Sequence, residues 1–416
     1  MNMLRKGILL LCILLLAAGT VMAQGAREPE REKIVVGVGG WAVEPTQRAI
    51  EELGFTEETG IEVEVVTRPG APPEFISQMT SAILGGTSPY DVIDMEDDVA
   101  VGFSRSGWLV DLDPLFDDEF WSDWPEAMIE MTDTWSRHQG ELFRIPHNYE
   151  AQYFWYRKDI LDQHGLQPPK TWDEMVEVAK AVTSGNRYGV SDGLGQGAYL
   201  GVYMTYLTQQ AGGNVYDMGP EFEVALQFLY DMIHKHKVFP ISALDKDYDQ
   251  VNNDYMQDRV VMMRQWPFFY GVARSDESWF EEDKAAVALP PAGPAGPIAY
   301  AASWGWSIPK TAGNVDAAKT FVEFMSRTEH QGYLAQLDTW FLSARKSCLE
   351  AMDGAGMAKY LQMYSDAQAI GTRPFHPAGQ EAHTVVEETS AAFLTNQLSL
   401  EEAVRRGRER MAGLGR

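Results

Sequence analysis

Cysteine is almost missing from this 416-residue sequence. Cys12 and Cys348 are the two it has, and Cys12 lies in a stretch expected to be removed. No internal disulfide can then form, and stability has to come from packing. Positive charge is also scarce: 34 Lys and Arg stand against 60 Asp and Glu, for a net charge of −26. Such a surface repels phosphate backbones and anionic headgroups, which excludes nucleic acid and direct membrane adsorption. No apolar run beyond the N-terminus is long enough to span a bilayer. There is no His-Glu-x-x-His pattern, and the eight His show no ligand spacing. His234 and His236, two residues apart, face different ways on a helix. No metal site and no cofactor are expected.

The N-terminus does carry a signal. Arg5 and Lys6 precede an apolar run from Gly7 to Ala18, and Val21-Met22-Ala23 offers small residues where a signal peptidase reads. Residues 1–23 therefore read as a secretory signal peptide cleaved after Ala23, with a periplasmic destination. Cys12 sits inside the apolar run, whereas a lipidated cysteine would open the mature chain. Residues 24–33 are charged, include Pro29, and read as a flexible leader. The chain is 45% hydrophobic and 11% aromatic, a globular composition long enough for two domains.

The body of the chain alternates between two periods. Ile34–Val38 is a β-branched run, Thr46–Phe55 has helical spacing, and Ile61–Val66 alternates strictly. Phe75–Leu84 is helical again, and Asp91–Met95 forms another strand. Strand, helix, strand in this rhythm implies a parallel sheet covered by helices, an α/β fold. Thr171 with Glu174, and Ser399 with Glu402, are spaced as capping boxes. Arg405, Arg406, Arg408 and Arg410 close the last helix, where cations favour the dipole. The Pro/Gly/Ala run from Leu289 to Pro297 reads as a loop.

Several blocks resemble the extracellular solute-binding proteins of family 1, the sugar-binding components of ABC importers. They are Phe55–Val63 (FTEETGIEV), Ser81–Ile93, Gly107–Pro114 (GWLVDLDP), Gly140–Pro146, Tyr156–Leu161 with Pro169–Glu174 (PKTWDE), Tyr255–Trp266, and Ser303–Lys310 (SWGWSIPK). They come in the family's order and cover nearly all of the mature chain. Two departures are Asp258-Arg-Val-Val-Met262, which lacks the usual glycine, and Leu342-Ser-Ala-Arg345.

The resemblance implies a two-lobed periplasmic-binding-protein fold of type II, with a ligand cleft between lobes joined by crossing strands. Lobe one would comprise 34–149 with 303–343, and lobe two 150–302 with 344–416. Crossings would fall near Pro146–Glu150, Ser303 and Ser343. It further implies a monomer that closes on a carbohydrate, docks on membrane permease subunits, and catalyses nothing.

A sugar needs aromatic planes for its C–H faces and carboxylates, amides or Arg for its hydroxyls. Trp41 and Glu44 follow the first strand, and Asp94 and Glu96 follow the strand at Asp91, both at carboxyl ends where α/β sheets bind ligands. Asn148, Tyr149 and Glu150 stand at the first crossing. Trp266 and Phe268 follow the buried run at Val260, and Trp304 lies at the second crossing. The resemblance adds family positions to Glu96, Trp266 and Arg373; Arg68 is a weaker candidate. Asp97 and Asp98 read as solvated, and Trp306, Trp108, Trp172 and Tyr156 as core.

Other readings compete. Gly37-Val-Gly39-Gly-Trp-Ala42 fits a dinucleotide turn with Glu62 or Glu64 about 20 residues on, but Trp41 and Pro45 would crowd a pyrophosphate. A glycosidase would need paired carboxylates, and 60 acids identify none. A non-sugar ligand such as a polyamine, peptide or metal chelate is the remaining competitor, and a polyamine site would need several cleft acids and no cleft Arg.

Overall fold

The computed structural model describes residues 32–70, 72–197, 199–275, 284–337, 343, 345–351, 370–376 and 378–414. The expected signal peptide, its cleavage site and Cys12 lie outside them. So does nearly all of the expected leader, whose last residue, Lys33, instead opens the first strand.

The described residues open with β1 (Lys33–Val38), α1 (Val43–Glu52), β2 (Glu62–Thr67), α2 (Pro72–Leu84), β3 (Val92–Glu96) and α3 (Asp97–Arg105). β1 pairs in parallel with β2 and with β3. Ile34, Val36 and Val38 face a core shared with Trp306 and Phe321, while Val35 faces a second one around Phe75 and Phe103. A central strand that is apolar on both sides needs cover on both faces. α4 (Glu126–Trp135) supplies part of it through Met128 and Met131. Full burial of a residue such as Phe321 contributes about 1.5–3 kcal/mol.

β4 (Ile145–Ala151) is buried along its whole length. Gln152 follows, and then β5 (Tyr153–Arg157) enters a different sheet. That second sheet is built with α5 (Trp172–Val182), β6 (Tyr188–Ser191), α6 (Tyr199–Gln210), α7 (Tyr248–Met256), β7 (Val260–Gln265) and β8 (Ala285–Ala288). Its strand order is β8-β5-β7-β6. At α5 the Thr171 hydroxyl accepts the Glu174 N–H at 3.2 Å, but the Glu174 carboxylate accepts from Lys170 N at 2.8 Å. The reciprocal arm of the expected box is displaced by one residue.

The run from Leu289 to Pro297 is a loop with isolated bridges at Ala292, Gly293 and Gly296. It is fixed on lobe two by Ala292 N to Lys170 O and Ala295 N to Gln210 O, both 2.8 Å, and it leads into β9 (Ala299–Ser307), which changes lobes. Tyr300 and Ala302 of β9 belong to the second lobe's core and Trp306 to the first lobe's. β9 pairs antiparallel with β4 and with β3, so the lobes are joined by neighbouring strands.

α8 (Val315–Met325) and α9 (Lys346–Ala351) follow. Residues from 344 on were expected in lobe two. Instead Lys346 N bonds Asp123 O at 2.9 Å, and Ser347 also bonds Asp123, which keeps α9 on lobe one. β10 (Ile370–Gly371) adds to the edge of β9, completing the order β10-β9-β3-β1-β2 with β4 also on β9. α10 (Gln380–Leu394) and α11 (Leu400–Gly413) pack into lobe two through Val385, Phe393 and Val404. On α11, Arg405 and Arg406 pair with Glu402, Arg408 with Glu223 and Arg410 with Glu388. These cations are neutralised locally.

Candidate functional site

The sheet register assembles the site. Trp304 of β9 is opposite Glu96 of β3 on one side and Asn148 of β4 on the other. Residues directly opposite in antiparallel strands share a face, so Glu96, Trp304 and Asn148 form one row. Glu150, two residues along from Asn148, accepts its amide N–H at 3.3 Å. Burial pushes the Glu150 carboxyl up to about 7, and the Glu96 charge adds to the rise. Burial also raises Glu96, against the nearby guanidinium of Arg373.

Trp41 meets this row from the turn after β1. Its ring stands edge-on to Trp304, with centroids 5.6 Å apart, and remains 52% exposed. The Arg68 guanidinium lies 5.5 Å from the Trp304 ring centroid and donates from Nε to Asp94 O at 2.9 Å. A Cβ on Gly39 would fall 2.5 Å from the Trp41 ring, and one on Gly37 would fall 2.6 Å from the Tyr90 ring. These glycines make room for aromatic rings. The dinucleotide reading fails, because an indole occupies the approach a pyrophosphate would need.

Three expectations are corrected on this wall. Asp94 is wholly buried and paired with His147 Nε2 at 2.9 Å, and that ring stacks on Trp306 at 4.4 Å. It supports the site from behind. Tyr149 belongs to the lobe-one core, where its hydroxyl donates to Met128 O at 3.2 Å and contacts Thr132 Oγ1. Glu44 is exposed in the first turn of α1, paired with Arg48 at 3.6 Å, and no described contact joins it to the row.

Asp97 and Asp98, expected in solvent, are held by the protein. β3 ends at Glu96 and α3 starts at Asp97 without a loop, so both acids fall in a helical first turn, where negative charge is favoured. Asp97 accepts Ser303 N at 3.0 Å. Asp98 is paired with Arg373 and accepts the Gln380 amide at 2.8 Å. Arg373 was expected to fork onto a ligand; here it is engaged by Asp98. Carboxylate oxygens of Glu96, Asp97 and Asp98 lie within 4.8 Å of one another. Arg373 and the buried Arg144 sit beside them and supply cationic charge.

On lobe two, Trp266 is half-buried against Tyr300 at 6.1 Å, and Phe268 is half-buried close by. Burial, with the charges of Asp97 and Glu96, holds the Tyr300 hydroxyl well above the ordinary phenol range. Trp266 therefore adjoins the same crossing as the acidic row. Sequence reading missed what lies beside it. Tyr199 stands edge-on to Tyr248 at 4.6 Å, and the Tyr248 hydroxyl takes Gln152 Nε2 at 3.4 Å. Behind them Arg264 and Asp192 form a buried pair at 2.9 Å. Asp192 directly follows β6, and the rule of strand carboxyl ends could have found it. Gly189-Val-Ser191-Asp-Gly193 also fits G-x-S-x-G, a pattern the sequence reading wrongly took to be absent. Ser191 is 1% exposed, its backbone is outside the left-handed region, and its Oγ has no described partner. Among the described residues no base reaches it, as a nucleophile would require.

The family profile of bacterial extracellular solute-binding proteins matches residues 40–332. The chain belongs to that family. The architecture of this binding protein is similar to a maltose-bound protein of T. maritima, with a TM-score of 0.81 and 25% identity, covering 92% of this chain and 99% of that one. A Thermotoga lettingae solute-binding protein carrying α-D-tagatose matches at TM-score 0.81 and 20% identity over the same shares. The fold is thus the two-lobed α/β arrangement. Among curated relatives, a probable ABC transporter-binding protein of Deinococcus radiodurans is 26% identical over 46% of this chain and 49% of its own length. An arabinooligosaccharide-binding protein of Halalkalibacterium halodurans is 28% identical over 32% and 31%. The chain thus spans half or less of these two relatives.

Proposed function

We propose that this binding protein is exported, captures a small uncharged carbohydrate or polyol where its lobes meet, and delivers it to the membrane permease of an ABC importer. The supporting observation is the Trp41–Trp304 corner set in one row with Glu96 and Asn148. It offers aromatic surface to C–H faces and polar atoms to hydroxyls. Charge points the same way. On the lobe-one wall Glu96, Asp97 and Asp98 are met by Arg68, Arg144 and Arg373, leaving little net field for a polyamine. Maltose and tagatose in the structural relatives agree with this chemistry. Residues 1–23 would be the export signal, and the mature chain would work as a monomer without catalysing a reaction.

The test is thermal unfolding of the exported protein with maltose, arabino-oligosaccharides, tagatose, mannitol, spermidine and free amino acids. A ligand at 100 times its Kd adds about 2.7 kcal/mol. Stabilisation by a carbohydrate or polyol is expected; stabilisation by spermidine or an amino acid alone would refute the reading.

A further inference from the structure

The segment after β10 is tied to both lobes. The Trp135 indole donates to the Thr372 hydroxyl at 3.5 Å, and the Arg105 guanidinium lies 4.2 Å from the Phe375 ring centroid. Those partners belong to lobe one. From lobe two, the Gln209 amide donates to Thr372 O, and Tyr216 packs on His376 at 5.2 Å. At the centre Arg373 pairs with Asp98, their side chains 6% and 5% exposed. Gln380, the first residue of lobe-two α10, donates to the same Asp98 oxygen at 2.8 Å. One carboxylate of lobe one is therefore gripped from the bridging segment and from lobe two.

Separating the lobes would draw Gln380 away and admit water to a pair that is now nearly dry. The contact would then differ between open and closed arrangements, which is the requirement for biasing a conformational equilibrium. It also lies beside the row that includes Glu96, on which the Arg373 charge acts.

We propose that Asp98, held by Arg373 and Gln380, is an interlobe clasp that sets how far the ligand-free protein stands open. Asp98 is then a positioning residue for Arg373. The proposal rests on the two-lobed binding reading but not on the identity of the ligand. Its test uses none, so failure of the carbohydrate assignment leaves it standing.

Spin labels at positions 62 and 177, exposed on lobe one and lobe two, would report the interlobe distance by pulsed electron resonance in a Cys348→Ser background. In ligand-free protein, Asp98→Asn should shift the main distance to longer values with circular dichroism unchanged. Gln380→Ala should shift it the same way, by less. If Asp98→Asn does not fold, Gln380→Ala decides alone. Distributions that match the parent in every folded variant would overturn the clasp.

Discussion

At the scale of single residues, the crossing strand shows what a sequence can and cannot tell. Asn148, Tyr149 and Glu150 entered as one group, yet side chains alternate along a strand. Tyr149 turns into the lobe-one core while Asn148 bonds Glu150. That division was legible once the segment was known to be extended. The displaced pKa of Glu150 was not, since it comes from burial by residues distant in sequence. It leads to a prediction whose sign can be worked out. Glu150 rises from 4.5 to about 7 on folding. Below the lower value both states hold the proton and the residue is neutral towards stability. Between the two values the unfolded chain releases it first, so stability falls as pH rises, and the cost is complete above about 7. Glu150→Gln should therefore raise the unfolding free energy at about pH 8 by on the order of 1–3 kcal/mol and change it little at about pH 4. Urea titrations at the two pH values check this, and a larger gain at the acidic one would contradict the burial argument.

At the scale of elements, most of the helices and strands were readable, because β-branched alternation and helical spacing are local. Junctions were less so. The acids after β3 read as a solvated loop because nothing local announces that a helix starts at Asp97 and that Ser303 and Arg373 cover its first turn. The glycines after β1 were ambiguous for a related reason. A missing Cβ shows that something approaches the backbone, and only tertiary structure reveals an indole instead of a phosphate. Gly39→Ala and Gly37→Ala should consequently behave differently. The new methyl at 39 meets the half-exposed Trp41 ring, which can swing into solvent at little cost to the fold. Ligand affinity should fall roughly tenfold, the worth of one well-placed aromatic contact, with the melting temperature nearly unchanged. At 37 the methyl meets Tyr90, which is 5% exposed and cannot move freely. Overpacking there should cost about 1–3 kcal/mol. Calorimetric melts and ligand titrations of the two variants separate the effects.

At the scale of the whole molecule, two lobes were legible from block order, but the seam between them was not. Residues 145–151 and 299–307 are neighbouring antiparallel strands, and β9 has side chains in both cores. Gln152, between β4 and β5, is where the chain passes from one sheet to the other. Trp304 stands on the crossing strand pair, opposite Glu96 and Asn148, so under the proposed function a ligand resting on it would meet lobe one and the crossing strands together. A ligand shifts an equilibrium only through its different affinity for the two arrangements; moving it from 1:99 to 99:1 takes about 5.5 kcal/mol. Under the proposed function a single aromatic contact of about 0.5–1.5 kcal/mol falls short of this, and Trp266 or Tyr248 on lobe two would supply more. Trp304→Ala and Trp266→Ala should each bind the ligand found in the thermal screen more weakly. At a ligand concentration that contracts the wild-type radius of gyration in small-angle scattering, Trp266→Ala should remain extended. If that variant contracts as fully as wild type at equal occupancy, lobe two contributes nothing to closure through this residue, and the differential affinity lies elsewhere on its wall.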